Sequence, residues 1–586
     1  MTILQPETKK CQNCQKKFTV EPEDFEFYEK MSDKNSEIKV PAPTWCPECR
    51  TQRRMGFYNV QTLYTRKCDK CQKNIMAIYL ENTDFPVYCS KCWWSDDWEA
   101  TNYAQEYDFQ KTFYEQFLNL QKKVPRVALE VDYSRNINSP YANDCGPLKD
   151  CYLVFLASDC ENVMYSSEID NSKDTLDCSN VSECENCYNL FNCDHCYNTF
   201  NSVKCGSCVD VNYSRNLRNC SNCFGCVNLK NAQYYIFNKK YSREDYFDML
   251  EKFNLNSYDS SNVISKKCYE FSLQKPFKHM NGVKNENVSG ESIFFSKNVK
   301  DSFLVIEGEN IKNSQMLGLG PTKDCQDYTS WGENAEMIYE SVHSGGGINN
   351  IKFTNGAWQS FGIDYGDNIF FSNNLFGCIF MNKKQYCILN KQYSKEEYFK
   401  MVEKIKKQMN EMPYTDQQGG EYKYGEFFPP ELSPFAYNET IAQEYFPLTK
   451  EEAKKQGYRW RDREKRNYEI TLKNKDIPDD IKDVDNSILK EVIECATLKN
   501  ERESTNCTEA FKIVPQELEF YKKMNLPLPR YCPNCRHHQR LKHRNPLKLY
   551  KRTCMKEGCS NEFETTYAPD RPEIVYCEKC YQEEVV

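Results

Sequence analysis

The stretch CENCYNLFNCDHCYNTF at residues 184–200, continued by CVDVNY from Cys208, decides how the centre of this chain is read. Its short segments alternate inward-type residues with polar ones between Asn, Asp and Ser punctuation. Cys184, Cys205 and Cys226 recur at intervals of 21 residues, as do Cys187 and Cys208. A period near 20 built from such segments predicts a β-solenoid, whose rungs stack like residue on like. The competing reading is a β-sandwich with irregular hairpins.

Working outward, FGCVNLKNAQYYIFNKKYSREDYFDMLEKF begins at Phe224, and FGCIFMNKKQYCILNKQYSKEEYFKMVEKI begins 152 residues later at Phe376, without a gap. Each copy predicts two short strands and a helix opened by Ser242 or Ser394. An acid three residues on (Asp245, Glu397) approximates a capping box. The segments SIFFS, SFLVIEG, MIYES and NIFFSNN read as the same architecture with fewer cysteines. Thirteen cysteines lie from Cys145 to Cys226. They read as a metal store or redox relay, or as small apolar fillers of buried rungs. The odd count and the single lateral thiols favour the filler reading.

The two ends carry one pattern twice. Near the N-terminus stand Cys46-x2-Cys49, Cys68-x2-Cys71 and Cys89-x2-Cys92. Near the C-terminus stand Cys532-x2-Cys535, Cys554-x4-Cys559 and Cys577-x2-Cys580, with the same gaps of 18 and 17 residues. LYTRKC matches LYKRTC, VYC recurs, and FEFYEKM aligns with LEFYKKM. Paired thiolates complete a tetrahedron around zinc, with iron in a rubredoxin-like site as the minority reading. The N-terminal ligand set is Cys11, Cys14, Cys46, Cys49, Cys68, Cys71, Cys89 and Cys92. The C-terminal set is Cys495, Cys507, Cys532, Cys535, Cys554, Cys559, Cys577 and Cys580. That gives up to four structural Zn²⁺ sites, paired sequentially as ribbons or interleaved as a cross-brace. Cys495 is the weakest member, because an ungapped alignment sets Cys14 opposite Cys507 but Cys11 opposite Ser504. Four thiolates leave no open corner, so the expected role of the metal is structural.

The whole chain has 586 residues, room for three to five domains. Its 33 cysteines sit in a long chain whose opening, MTILQPETKK, is polar and lacks a signal-peptide core. The expectation is a cytoplasmic, reduced setting, with no membrane span. Net charge is −8, which argues against indiscriminate nucleic-acid coating. Yet Arg530, Arg536, Arg540, Lys542, Arg544, Lys548, Lys551 and Arg552 fall in a stretch free of Asp and Glu. On a metal-rigidified scaffold such residues, with Tyr550 among them, suit phosphate contact and base stacking. Positions shared by both modules (Arg50/Arg536, Arg54/Arg540, Arg66/Arg552) read as structural, and the unshared C-terminal excess is the functional clue.

Trp93, Trp94 and Trp98 stand beside the last N-terminal thiol pair, either as a partner surface or packed onto the bridge helix, and packing is the favoured reading. In that bridge, Phe109, Phe113, Phe117 and Leu120 form one helical stripe that ends before Pro125. Ser344 opens an SGGG run without the lysine of a phosphate loop, and His343 beside it reads as a loop residue. No catalytic motif stands out, and an enzyme is not expected.

The sequences CPECRTQRR, PVYCSKCWWSDDW, YCILNKQYSKEEY, YGEFFPPELSPFAYNETIAQEYFPLTKEEA and PQELEFYKKMNLPLPRYCPNCR resemble the large cysteine-rich, multi-zinc-ribbon proteins of candidate-phyla-radiation bacteria. The resemblance covers nearly the whole chain. It implies metal-binding ends and a small-genome bacterial, cytosolic origin, and it transfers no catalytic residue.

The expected fold is mostly β with short helices: a central duplicated β-solenoid-like region flanked by N- and C-terminal zinc-ribbon modules. The divisions are residues 1–99 (double zinc module), 100–130 (helical bridge), 131–260 and 261–410 (solenoid units), 411–490 (mixed bridge) and 491–586 (second double zinc module). The expected function is a non-enzymatic zinc-stabilised binding protein, its modules held apart by the solenoid. It would contact RNA or a ribonucleoprotein through the basic C-terminal module. The alternative is a protein-assembly scaffold docking a protein partner on the solenoid flank and the Trp cluster.

Overall fold

A computed structural model describes residues 5–34, 36–463 and 468–585; the first four residues of the polar opening lie outside that set. Strands dominate, and the helices are short. Among the described residues no helix is long and apolar enough to cross a membrane.

The first solenoid runs from the Val131↔Cys145 bridge to the strand Lys239–Lys240. Its rungs pair in parallel, as Tyr152–Ser158 does with Cys160–Asp170. Each residue lies beside the one 12 positions on: Asn189 Nδ2 donates to Asn201 Oδ1 at 2.8 Å. The coil is therefore 12 residues long, not about 20. Within it the unit is three. Glu183, Asn186, Asn189, Asn192, His195, Asn198 and Asn201 all have positive φ. The residues that follow them, among them Cys184, Cys187, Leu190, Cys193 and Cys196, are at most 3% exposed. Each left-handed residue turns the chain by one corner, so four three-residue sides close a coil. Asn dominates these corners because its short polar side chain tolerates that conformation.

The lumen explains the cysteines. Cys187 Sγ donates to the carbonyls of Glu185 (3.3 Å) and Cys196 (3.5 Å). Ser202 Oγ makes the same two contacts to Phe200 (2.8 Å) and Val211 (3.4 Å). A thiol here is a slightly larger serine, satisfied by backbone on two coils.

The second solenoid begins at Gly282–Val283 and ends at Lys391–Gln392. Its coils widen in the middle, where Glu309 pairs with Lys323 and Ala335 with Ile348. They return to 12 residues at Asn349↔Phe361. The wider coils admit the fully buried Tyr328, whose hydroxyl donates to the Ser344 carbonyl. The SGGG run is a packing device: a Cβ on Gly345 or Gly346 would come within 2.6 Å of Trp331 or Trp358. His343, expected in a loop, lies in the strand Ala335–Gly345.

Each solenoid ends in an antiparallel strand pair and a helix, Arg243–Glu251 or Lys395–Glu411. As expected, Ser242 Oγ and Ser394 Oγ cap them, accepting from the N–H of Asp245 (3.1 Å) and Glu397 (3.3 Å). The helix Tyr258–Leu273 spans the expected boundary at 260/261, so the first unit continues through it. The bridge helix Phe113–Gln121 buries Phe113, Phe117 and Leu120. Phe109 precedes it and is 40% exposed.

Candidate metal centres

Each end folds as two ribbons. A hairpin presents one thiol pair, and the N-terminus of a helix presents the other. Cys11 and Cys14 sit between the strands Glu7–Lys10 and Lys17–Val20, while Cys46 caps the helix Pro47–Met55. Cys68 and Cys71 sit between Tyr64–Lys67 and Asn74–Ala77, while Cys89 caps Ser90–Trp93. At the C-terminus, Cys532 caps Pro533–Leu541, and Cys554 and Cys559 follow the same hairpin logic between Tyr550–Thr553 and Glu562–Thr565.

The pairing is sequential. Cys11, Cys14, Cys46 and Cys49 form one cluster; Cys68, Cys71, Cys89 and Cys92 a second; Cys495, Cys507, Cys532 and Cys535 a third; Cys554, Cys559, Cys577 and Cys580 a fourth. In each, the four sulfurs all lie within 4.8 Å of one another. Cys495 belongs despite the long gap to Cys507, which is spanned by the short helix Lys499–Glu501.

The donor sets fit a tetrahedral ion. A Zn–S bond of about 2.3 Å sets neighbouring sulfurs about 3.8 Å apart. Cys14–Cys46 measures 3.7 Å, Cys71–Cys89 3.9 Å and Cys495–Cys535 3.9 Å. Backbone N–H groups point at sulfur: Cys46 N to Cys11 at 3.2 Å, Cys89 N to Cys68 at 3.2 Å, Cys577 N to Cys554 at 3.4 Å. Such donors stabilise thiolates. Without a cation the four thiols cannot all ionise. Cys46, then Cys49, drives Cys11 far below the usual thiol range, and Cys11, then Cys46, drives Cys49 far above it.

The two modules dock crosswise. The strand Val87–Tyr88 of the second ribbon pairs with Arg126–Val127 at the entry to the first solenoid. Its C-terminal counterpart, Val575–Tyr576, pairs with Phe277–Lys278 at the entry to the second. The capped helices reach the opposite solenoid. Arg50 Nη2 and Arg54 Nη1 take the two oxygens of Asp327 at 2.7 and 3.3 Å. Arg536 Nε and Arg540 Nη1 take those of Asp177 at 3.2 and 2.9 Å. Arg53, fully buried, pairs with Glu340 at 3.0 Å and Glu426 at 3.2 Å. The modules also touch each other, Gln61 Nε2 lying 3.1 Å from His537 Nε2, so the solenoids do not hold them apart.

The basic stretch divides accordingly. Arg536 and Arg540 are buried in those ion pairs, and Arg530 is buried against the carbonyls of Ile477 (3.3 Å) and Pro478 (3.0 Å). Arg544 stacks 3.6 Å from the Tyr445 ring and pairs with Glu444. Arg552 donates to the Ala568 carbonyl at 3.2 Å. Lys542, Lys548 and Lys551 are exposed. The Trp cluster is packed as expected, but on the second solenoid: Trp93 lies 5.3 Å from Phe370 and 5.7 Å from Phe380, and its Nε1 donates to the Pro125 carbonyl at 3.1 Å.

One titratable cluster escaped the sequence reading. His343 of the second solenoid is stacked 4.8 Å from Tyr58 of the N-terminal module and 6.0 Å from Trp331. Its Nδ1 and Nε2 each lie 3.0 Å from a carboxylate of the first solenoid's entry, Glu130 and Asp144. Burial opposes its charge, but Asp144 and then Glu130 outweigh burial and hold the imidazole protonated well above its usual range. With a carboxylate on each nitrogen, the ring is placed to donate from both as an imidazolium, and the same three side chains also lie close enough together to hold a metal ion.

No family model matches the chain, and neither a curated protein nor a solved structure matches it.

Proposed function

We propose that the protein is a metal-stapled binding scaffold, in which four structural zinc ions rigidify two clamps that fasten a pair of β-solenoids together. The carrying observation is that each module turns two of its shared arginines, Arg50 and Arg54 or Arg536 and Arg540, onto one buried Asp of a solenoid, Asp327 or Asp177. A head built for binding would turn those cations outward. The free solenoid flanks are left to a protein partner; on one of them the ladder Lys149–Glu161–Lys173 is followed by Tyr197 (46% exposed) and Val209 (42% exposed). The metal content of the reduced, as-purified chain tests the staple. Four zinc per chain, one lost with Cys→Ser exchange in any one cluster, is the expected result; iron, or fewer than four ions, would contradict it.

A second reading, RNA contact, is favoured by one observation. Lys542, Lys548 and Lys551 are exposed, and none of them forms an ion pair among the described residues. Fluorescence anisotropy with single-stranded and duplex RNA across a salt series tests it: affinity falling steeply with salt supports phosphate contact, and no binding at low salt rules it out.

A further inference from the structure

The four clusters are shielded to different degrees. In the Cys495 cluster all four cysteines are buried. The Cys11 cluster buries three and exposes one, Cys14, and the Cys554 cluster buries three with Cys559 half-buried. In the Cys68 cluster only Cys68 is buried, and Cys71, Cys89 and Cys92 are half-buried. Hydrogen bonds to sulfur separate the two extremes in the same order. The Cys495 cluster receives the N–H of Cys532 (3.2 Å), Thr508 (3.4 Å) and Glu509 (3.3 Å) and the hydroxyl of Thr497 (2.9 Å). The Cys68 cluster receives the N–H of Cys89 on Cys68 at 3.2 Å, that of Lys73 on Cys71 and that of Cys92 on Cys89, with no hydroxyl donor to sulfur among the described residues. Exposure and unquenched thiolate character together set how readily a coordinated sulfur is attacked.

We infer that the Cys68–Cys71–Cys89–Cys92 site is an oxidation-labile latch, opened by a small two-electron oxidant of the hydroperoxide class while the other three sites persist. Each hydroperoxide takes two electrons from two thiolates. One S–S bond forms, the O–O bond breaks, and two protons from solvent leave with the oxygens as water and alcohol. Two equivalents convert the four thiolates to two disulfides, and the metal departs as the divalent ion, unchanged in oxidation state.

What this site holds in place gives the latch its consequence. Its ribbon carries Val87–Tyr88, paired at the entry to the first solenoid, and Trp93, packed on the second. It is thus a bridge across both solenoids. Releasing it uncovers Trp93 (3% exposed) and Phe370 (9%), with Phe380 (1%) behind them, an apolar patch otherwise closed. The inference rests on the metal reading above.

The test is a titration of the zinc-loaded full-length chain with hydrogen peroxide. Released zinc is read by a chromogenic chelator, and modified cysteines are mapped by alkylation and mass spectrometry when one equivalent has left. Modification confined to Cys68, Cys71, Cys89 and Cys92, with a red shift of tryptophan emission that Trp93→Phe abolishes, is expected. A first zinc released from the Cys495 cluster, or evenly from all four, overturns the inference. A chain holding fewer than four zinc before oxidant overturns the metal reading instead.

Discussion

Arg540 Nη1 stands 2.9 Å from Asp177 Oδ1, and 363 residues of chain separate the two. Arg50 and Asp327 repeat the relationship from the other end, 277 residues apart. A duplicated helix thus meets a carboxylate on a duplicated solenoid. All four partners are buried, and Glu340 and Glu517 supply the second negative charge beside each pair of guanidiniums, which have no water to turn to.

Removing one partner therefore strands the others. Asp177→Asn or Asp327→Asn should cost roughly 3–5 kcal/mol, the usual penalty for breaking a buried pair. Urea unfolding followed by circular dichroism reads this, and a change under about 1 kcal/mol would mean the pairs carry little of the docking.

The His343 triad sets a pH dependence of known sign. Its folded pKa is raised, so its stabilising contribution is fully present below the unfolded value of about 6.5 and is lost as pH rises through the higher folded value. Unfolding midpoints of the native chain should hold below about pH 6 and decline as pH rises past the unfolded value of about 6.5. His343→Gln should be less stable at pH 7, with Glu130 and Asp144 left facing each other, and should flatten that decline. Parallel profiles for the two proteins would show that the ring is not the titrating group.

The corners make a third case. Asn201 has φ 49° and accepts from Asn189. Asn201→Val should cost about 1–2 kcal/mol, because a β-branched residue is strained in the left-handed region. Asn201→Gly should cost less. Equal losses in thermal unfolding would place the cost in the amide ladder rather than in the backbone.

For the RNA reading, the exposed and buried cations should part company. Lys542→Ala, Lys548→Ala and Lys551→Ala together should lower the salt slope of RNA binding by about 2. Arg540→Ala should lower stability instead. A slope unchanged by the triple exchange removes this surface from consideration.

The sequence carried the architecture but hid its metric. Cys184, Cys205 and Cys226 recur at 21 because inward positions recur every three residues, and 21 is a multiple of three. The cysteines therefore stand on three different sides of the coil, and their spacing could not reveal its length. The corner asparagines held the better signal, since Asn186, Asn189, Asn192, Asn198 and Asn201 all keep the triplet phase. The thiol clusters were legible as ligand sets, because spacing and duplication act locally. Their sequential pairing, and the place of Cys495, needed the fold. Arg536 and Arg540, set by the sequence among the nucleic-acid-binding candidates, instead lie in buried ion pairs, and Asp177 and Asp327 were invisible, as nothing local marks a carboxylate whose partner lies hundreds of residues away. His343 misled for the same reason: its neighbours Tyr58, Glu130 and Asp144 come from other segments.

The measurement that bears most directly on the clamp is small-angle X-ray scattering of the full chain, zinc-loaded and then stripped by a chelator under reducing conditions, with far-ultraviolet circular dichroism recorded on both. The account predicts that chelation raises the radius of gyration while the β-signal persists, because the modules loosen and the solenoids, held by their own ladders, part intact. An unchanged radius after complete metal loss would contradict it.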